Sequence, residues 1–311
     1  MMTKRSTRPR DALGRPLPHD AAGEPRVPDD LVLPPRESLA EAQRLFDAGR
    51  PFHAHEVLEG TWKASPPAER DLWQGLAQLA VGITHRCRGN AVGAARLLRR
   101  GAARIEPYAA DTRYGLDVVG LATTARDLAD DPSLSTPLRL DGRPNLLREL
   151  RDDDEAAALE AHEQVLADNM DFLLDHEPGT PWADYVRLQT DRRRGIGLPR
   201  GRVPATFLVA DVDGAIVGRL SIRHTLNEFL ATYGGHIGYA VVPAYRRRGY
   251  ATAMLREGLV RARMLGIERA LVTCDEDNPG SRKAIESCGG RLDADRPTIG
   301  ERPAKLRYWI G

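Results

Sequence analysis

The run Tyr239-Ala240-Val241-Val242-Pro243-Ala244-Tyr245-Arg246-Arg247-Arg248-Gly249-Tyr250-Ala251-Thr252 passes from a strand pattern through a basic turn into a helix. Residues of these types in this order can hold a diphosphate. Glycine at 249 and alanine at 251 let backbone N–H groups come close to an anion, and a helix starting there adds unpaired amides and its positive dipole end. Arg246, Arg247 and Arg248 supply diffuse positive charge. A short Gly/Arg turn has little specificity by itself, so its setting decides the reading. Leu255, Leu259 and Ala262 continue at helical spacing to a stop at Gly266. A buried-looking strand, Ala270-Leu271-Val272-Thr273-Cys274, comes next. Asn278 and Ser281 then frame a second helix start, and that helix ends at Gly289-Gly290.

This order of strand, R-x-x-G-x-A, helix, strand, N-x-x-S and helix resembles the GCN5-related N-acetyltransferase family, over roughly residues 146 to 311. The resemblance implies a mixed α/β acyltransferase fold and acetyl-coenzyme A as cosubstrate, with direct transfer of the acetyl group to a primary amine in a ternary complex. Matched position by position, it implies that the strand carrying Tyr239, Ala240 and Val241 pairs with the pantetheine arm. It places Arg246, Arg247, Arg248, Gly249, Tyr250, Ala251 and Thr252 around the pyrophosphate, and Asn278 on the cofactor arm, with Ser281 in the same N-x-x-S start. A backbone N–H at about Val241 is implied to face the thioester oxygen. The segment from Arg223-His224 through Gly234-Gly235-His236-Ile237-Gly238-Tyr239 looks like a bacterial subgroup of acetyltransferases whose substrate is not assigned.

Proton handling departs from the family's pattern. The tyrosine that often serves as acid lies seven residues after the asparagine, where this chain has Ile285; a glutamate base five residues before it is replaced by Thr273. Replacement proton carriers are His236, Tyr239, Glu228 or Cys288. Loss of the usual acid and base weakens a mechanism more than an activity, because general acid–base help contributes about 10² to 10⁴ in rate and a thiol of pKa about 8.5 leaves tolerably without it. Asp275 and Glu276 could attract a cationic amine, whether on a small molecule or a peptide. The competing expectation is a non-catalytic acyl-coenzyme A sensor.

The N-terminal half carries Phe52-His53-Ala54-His55-Glu56-Val57-Leu58-Glu59-Gly60-Thr61-Trp62, then Gln74-Gly75-Leu76-Ala77-Gln78, His85 and Gly89-Asn90. These residues resemble an all-helical family, domain of unknown function 309, across roughly residues 38 to 130. On facing helices His55, Glu56, Glu59 and His85 could converge in a bundle interior. A buried hydrogen-bonded network satisfies such groups as well as a divalent metal does, and is the favoured reading. His53 is expected at the surface.

With 311 residues the chain has room for two domains. The fold class expected is α+β overall: a tail without structure at 1–36, an all-helical domain at 37–130, a Pro/Gly-rich linker at 131–145 and the acetyltransferase-like domain at 146–311. Ser38-Leu39-Ala40-Glu41 reads as a capping box opening the first helix. Asp211-Val212-Asp213-Gly214 reads as a hairpin turn. A net charge of +1 argues against a general nucleic-acid binder. The start of the chain shows no signal-peptide pattern or long apolar run, so a cytoplasmic protein with no membrane partner is expected. Cys87, Cys274 and Cys288 are odd in number and lack metal-ligand spacing, which suits reduced thiols. Oligomeric state is not legible.

Overall fold

A computed structural model describes residues 8–25, 27–28, 31–110, 114–168, 170–295 and 305–311. The chain divides into two compact units, Met1–Pro144 and Asn145–Gly311.

The first unit holds helices α1 (Pro35–Asp47), α2 (Pro51–Ala64), α3 (Arg70–Cys87), α4 (Ala91–Ile105) and α5 (Val118–Asp130). Each follows from an apolar stripe of helical period; on α4 the stripe is Ala94, Leu98, Ala102 and Ile105, all buried. Asn90 and Asp117 cap α4 and α5 by accepting from the N–H of Gly93 and Gly120. Ser38 does not cap. Pro35 occupies the first turn and starts α1 four residues earlier than a Ser38 cap would, and the buried Ser38 hydroxyl lies 2.6 Å from that of Thr61 on α2. His53 is likewise buried, at 2 % exposure, on the inner face of α2.

Two flanking segments depart from the expected boundaries. Among the described residues of the expected tail, 8–25 form a turn: Arg10 bridges Pro16, and Asp11 Oδ1 accepts from the N–H of Leu13 and Arg15. The turn is anchored on α2 and α3, with Arg88 Nε donating to Leu13 O at 3.0 Å and the Arg10 guanidinium lying over the Phe52 ring. Composition speaks only to apolar burial, whereas this anchorage is guanidinium to carbonyl and guanidinium to ring. Residues 1–7, 26 and 29–30 of that tail lie outside the described residues. The expected linker packs on the helices instead of spanning freely up to Pro144: Ser135, Leu138 and Leu140 are buried, and Gln43 Oε1 accepts from the Leu140 N–H at 2.6 Å.

Among the described residues the second unit forms a seven-stranded sheet, in order β1-β2-β3-β4-β5-β7-β6. Its strands are β1 (Leu147–Arg148), β2 (Ala205–Val212), β3 (Ala215–Arg223), β4 (Ile237–Val241), β5 (Ala270–Cys274), β6 (Arg291–Leu292) and β7 (Leu306–Ile310). Helices α6 (Glu155–Leu166) and α7 (Trp182–Arg194) cover one face, and α8 (Tyr250–Met264) and α9 (Pro279–Ser287) the other. The period-2 alternation of β2 sends Phe207 and Val209 toward Trp182 and Tyr185, and Leu208 and Ala210 toward Met254, Leu255 and Leu259. Asp213 and Gly214 both take positive φ, +52° and +85°, the requirement of a two-residue type I′ hairpin between β2 and β3. Helix α8 is tied to β1 by Glu257, whose carboxylate accepts from the N–H of Leu146 and Leu147. No helix among the described residues is long and apolar enough to cross a membrane.

Candidate functional site

Among the described residues β4 and β5 are the parallel pair of the sheet, and their register is a single pairing, Ile237 with Val272. Gly235, at φ +66°, lets the chain approach β5 so closely that a Cβ there would sit 2.6 Å from Leu271 O. His236 then makes two bonds to one residue. Its N–H donates to Leu271 O at 2.7 Å, and its Nδ1 accepts from the Leu271 N–H at 2.9 Å. Beyond this pin the strands part. Val242 donates to Val217 O on β3, so by alternation the Val241 N–H points the other way, into the gap left by β5.

At the end of β4, Pro243–Tyr245 makes one turn of 3₁₀ helix, and Gly249, at φ +85°, caps α8. The first helical hydrogen bond is Ala253 N–H to Gly249 O at 3.1 Å. The N–H groups of Tyr250, Ala251 and Thr252 therefore have no acceptor within the helix. A cavity of about 650 Å³ opens on this turn. It is lined by Tyr239, Ala240, Val241, Arg246, Arg247, Gly249, Tyr250, Ala251 and Thr252, with Asn278 and Ser281 at the start of α9. Arg248 is not on its wall; its guanidinium stacks over the Tyr245 ring at 5.6 Å.

Several of these groups are already engaged. Arg246 pairs with Asp168 at 2.5 Å and donates through Nε to Val241 O at 3.1 Å. Asn278 Oδ1 accepts from the Ser281 N–H at 2.9 Å, a cap that does not use the carboxamide nitrogen. The Tyr239 hydroxyl meets Ser281 Oγ at 2.8 Å. Burial pushes the Tyr239 phenol up to about 12 despite that hydrogen bond, so it stays protonated across the ordinary pH range.

The other proposed proton carriers are not on this cavity. Glu228 is exposed. Cys288, whose thiol burial pushes up, donates to Thr252 O at 3.7 Å. His236 has a structural role that the sequence does not show: its Nδ1 holds the Leu271 N–H, which leaves only Nε2 to exchange a proton. Burial first, and then the Arg223 charge, lower its pKa, so the native ring is neutral. This contribution to stability is present above the unfolded value of about 6.5 and is lost as pH falls toward the lower folded value. His236→Ala leaves a backbone N–H unpaired and is expected to cost about 1–3 kcal/mol of stability. Thermal unfolding against pH checks this; an unchanged midpoint with slower turnover would restore the catalytic reading.

The departures at 285 and 273 also have structural content. Ile285 is fully buried, and the Thr273 hydroxyl donates to Tyr233 O at 2.9 Å. Asp275 pairs with Lys305, which removes part of the negative charge expected to attract an amine. In the helical unit the proposed metal set does not converge. His55 pairs with Glu59 at 3.5 Å on α2, while His85 Nδ1 meets Asn90 Nδ2 at 3.0 Å. No cluster of three or more histidine, cysteine or acidic residues suited to a metal occurs among the described residues.

Sequence reasoning missed Asp168, Met170, Tyr245 and Lys283 on the cavity wall. Lys283 could have been found, since it stands five residues after Asn278 in the first turns of α9. Asp168 reaches the site from the turn after α6 and carried no local signal.

Residues 163–289 match the model of the acetyltransferase (GNAT) family, and residues 39–97 match that of a domain of unknown function, DUF309. An uncharacterized protein from Bacillus subtilis (strain 168), YpuF, is 48% identical over 48 residues, which are 15% of this chain and 28% of that protein. The chain therefore spans under a third of this relative's length. Among solved structures, RimJ of Mycobacterium smegmatis in complex with CoA-disulfide is similar at 22% identity and a TM-score of 0.39, over 53% of this chain and 80% of that one. A putative acetyltransferase of Salmonella typhimurium, yncA, with its cofactor acetyl-CoA, is similar at 18% identity and a TM-score of 0.37, over 52% of this chain and 90% of that one.

Proposed function

We propose that residues 145–311 transfer an acetyl group from acetyl-coenzyme A to a primary amine, with the helical unit as an accessory. The observation that carries this reading is the parting of β4 from β5 beside the amide-lined start of α8, within one cavity. The fit to the cosubstrate is local. Gly249 leaves open space where a Cβ would stand, and the amides of Tyr250, Ala251 and Thr252, with Arg247 and Lys283 on the wall, suit a pyrophosphate. The match of residues 163–289 to an acetyltransferase family supports the same assignment.

In this reading the Val241 N–H stabilises the oxygen charge that develops as a neutral amine attacks the thioester carbon. The new N–C bond forms as the C–S bond breaks, the thiolate takes the electron pair, and the amine's proton passes to solvent or thiolate. Tyr239 is the remaining side-chain donor of the proposed set on the cavity wall. With a phenol near 12 it is a poor base and a weak acid, so it acts by hydrogen bonding to the leaving sulfur. Tyr239→Phe is expected to lower kcat by about 10-fold to 100-fold, at or below the low end of proton-transfer effects because only a hydrogen bond is lost, with coenzyme affinity unchanged. An unaltered kcat would remove Tyr239 from the chemistry.

The buried Ile285 and the engaged Thr273 hydroxyl favour one second reading, an acyl-coenzyme A sensor without turnover. Thiol release from acetyl-coenzyme A against a panel of amines and peptides separates the two. Release that requires amine establishes the transferase; coenzyme binding without release for every acceptor establishes the sensor.

A further inference from the structure

The second unit holds another cavity, of about 450 Å³, which shares no lining residue with the one beside α8. It lies on the α7 face of the sheet, floored by Phe207 and its cross-strand partner Ser221. Its volume falls in the range of small-molecule sites, about 300–1,000 Å³.

Its charge is unbalanced. Arg192, Arg202 and Arg223 line it against one carboxylate, Asp175. Arg192 and Arg202 both pair with Asp175, at 3.0 and 2.7 Å. Arg223 pairs with no carboxylate among the described residues, and its hydrogen bond is a long one, Nη1 to Gly234 O at 3.4 Å. Burial, and then the Arg202 charge, lower its pKa, the sign of a cation held without compensation. Gln189, on the same wall and 8 % exposed, has its buried Nε2 outside full hydrogen-bond geometry, engaging the Tyr185 hydroxyl only weakly. A guanidinium without a carboxylate and a weakly engaged amide nitrogen, from different elements, thus flank one space. Beside Thr206, Ser221 and Asn227, the remaining side chains of the wall are apolar, among them Leu230 and, at 43 % exposure, Phe229. An inorganic anion would leave that surface wet.

We propose that this cavity binds a small organic carboxylate with an apolar body, its carboxylate on Arg223 and its body against Phe207, Phe229 and Leu230. A guanidinium holds a carboxylate through two parallel N–H bonds, which an ammonium cannot reproduce. The assignment stands independently of acetyl transfer, because every residue it uses lies off the cofactor cavity.

Calorimetric titration of the full chain with phenylacetate and hexanoate tests it. Phenylacetamide, which keeps the body without charge, and acetate and sulfate, which keep charge without the body, serve as comparisons. The expected result is that phenylacetate binds at least about 10-fold more tightly than any of the three comparisons, a preference worth about 1.4 kcal/mol. Arg223→Gln should erase the preference over phenylacetamide, and Arg223→Lys should restore only part of it. Since Arg223 also packs over Gly238, its replacement could unfold the unit. Phe229→Ala, at an exposed ring, provides the second variant and should weaken phenylacetate several-fold at an unchanged thermal midpoint. Equal affinity for phenylacetamide, equal affinity for sulfate, undiminished binding by both variants, or no heat with either carboxylate to about 10 mM would each overturn the assignment.

Discussion

Gly249→Asp is expected to abolish coenzyme A binding while leaving the fold intact. Space is not the reason, since a Cβ at 249 would meet nothing within 4 Å. Two other effects act. The residue stands at φ +85°, where aspartate, like asparagine, is tolerated at less than the roughly 1–2 kcal/mol that most side chains cost in the left-handed region. Charge matters more: a carboxylate about 4 Å from a phosphate repels it by about 4 kcal/mol at an effective dielectric of about 20. At about 1.4 kcal/mol per tenfold, the charge alone lowers affinity by roughly 10² to 10³. Gly249→Asn isolates the repulsion, because asparagine has the same shape, tolerates positive φ and carries no charge. Calorimetric titration with coenzyme A should therefore show modest loss for Asn and loss beyond detection for Asp, with matching circular dichroism. Equal affinities for the two variants would sink the assignment of this turn to the pyrophosphate.

That turn was readable because its requirements are local. A helix start needs orphan amides, and close anion approach needs a residue free to take positive φ; both are written in the order Arg-Gly-Tyr-Ala. The Asp213-Gly214 hairpin was readable for the same reason, as was the Asn278 cap, whose acceptor lies three residues away from its donor. Features that depend on distant partners were not. Ser38 matches a capping box in sequence, yet its hydroxyl answers to Thr61, 23 residues on. Histidine's ordinary pKa makes His236 a candidate proton carrier, but Leu271, 35 residues on, donates to its Nδ1. Arg246 belongs to the basic run and is half claimed by Asp168 from another element. The packing of residues 8–25 escaped a hydrophobicity criterion because guanidinium contacts hold it. Side chains were thus legible where their partner lay within a turn of chain, and misread where the sheet or a helix contact supplied it.

The helical unit offers the second large effect, at the crossing of α3 and α4. Gly75 and Gly101 face each other there: a Cβ on Gly101 would sit 2.9 Å from Gly75 O and 2.7 Å from Leu79 Cδ2, and one on Gly75 would sit 2.5 Å from Ile105 Cγ2. One turn-pair further, a Cβ on Gly82 would meet the Leu98 side chain at 2.8 Å. Leu79, Leu98 and Ile105 are buried at 1 % exposure or less, so none can swing out to water. Two effects oppose each other at such a position. Replacing a mid-helix glycine by alanine favours the helix by about 0.8–1.0 kcal/mol, whereas overpacking a filled contact costs typically about 1–3 kcal/mol. Here one neighbour is a backbone carbonyl, which yields only if the helices separate. Gly101→Ala should therefore lower stability despite its better propensity, and Gly101→Val should lower it by about 3 kcal/mol, the upper end of that range. For a domain of this size that is a fall of roughly 10 °C in the unfolding midpoint. Calorimetric unfolding of the full chain reads it directly. Coenzyme affinity serves as the internal control, since every residue lining that cavity lies in Asn145–Gly311. If Gly101→Ala instead raises the midpoint, propensity dominates, and the helices do not need glycine to approach.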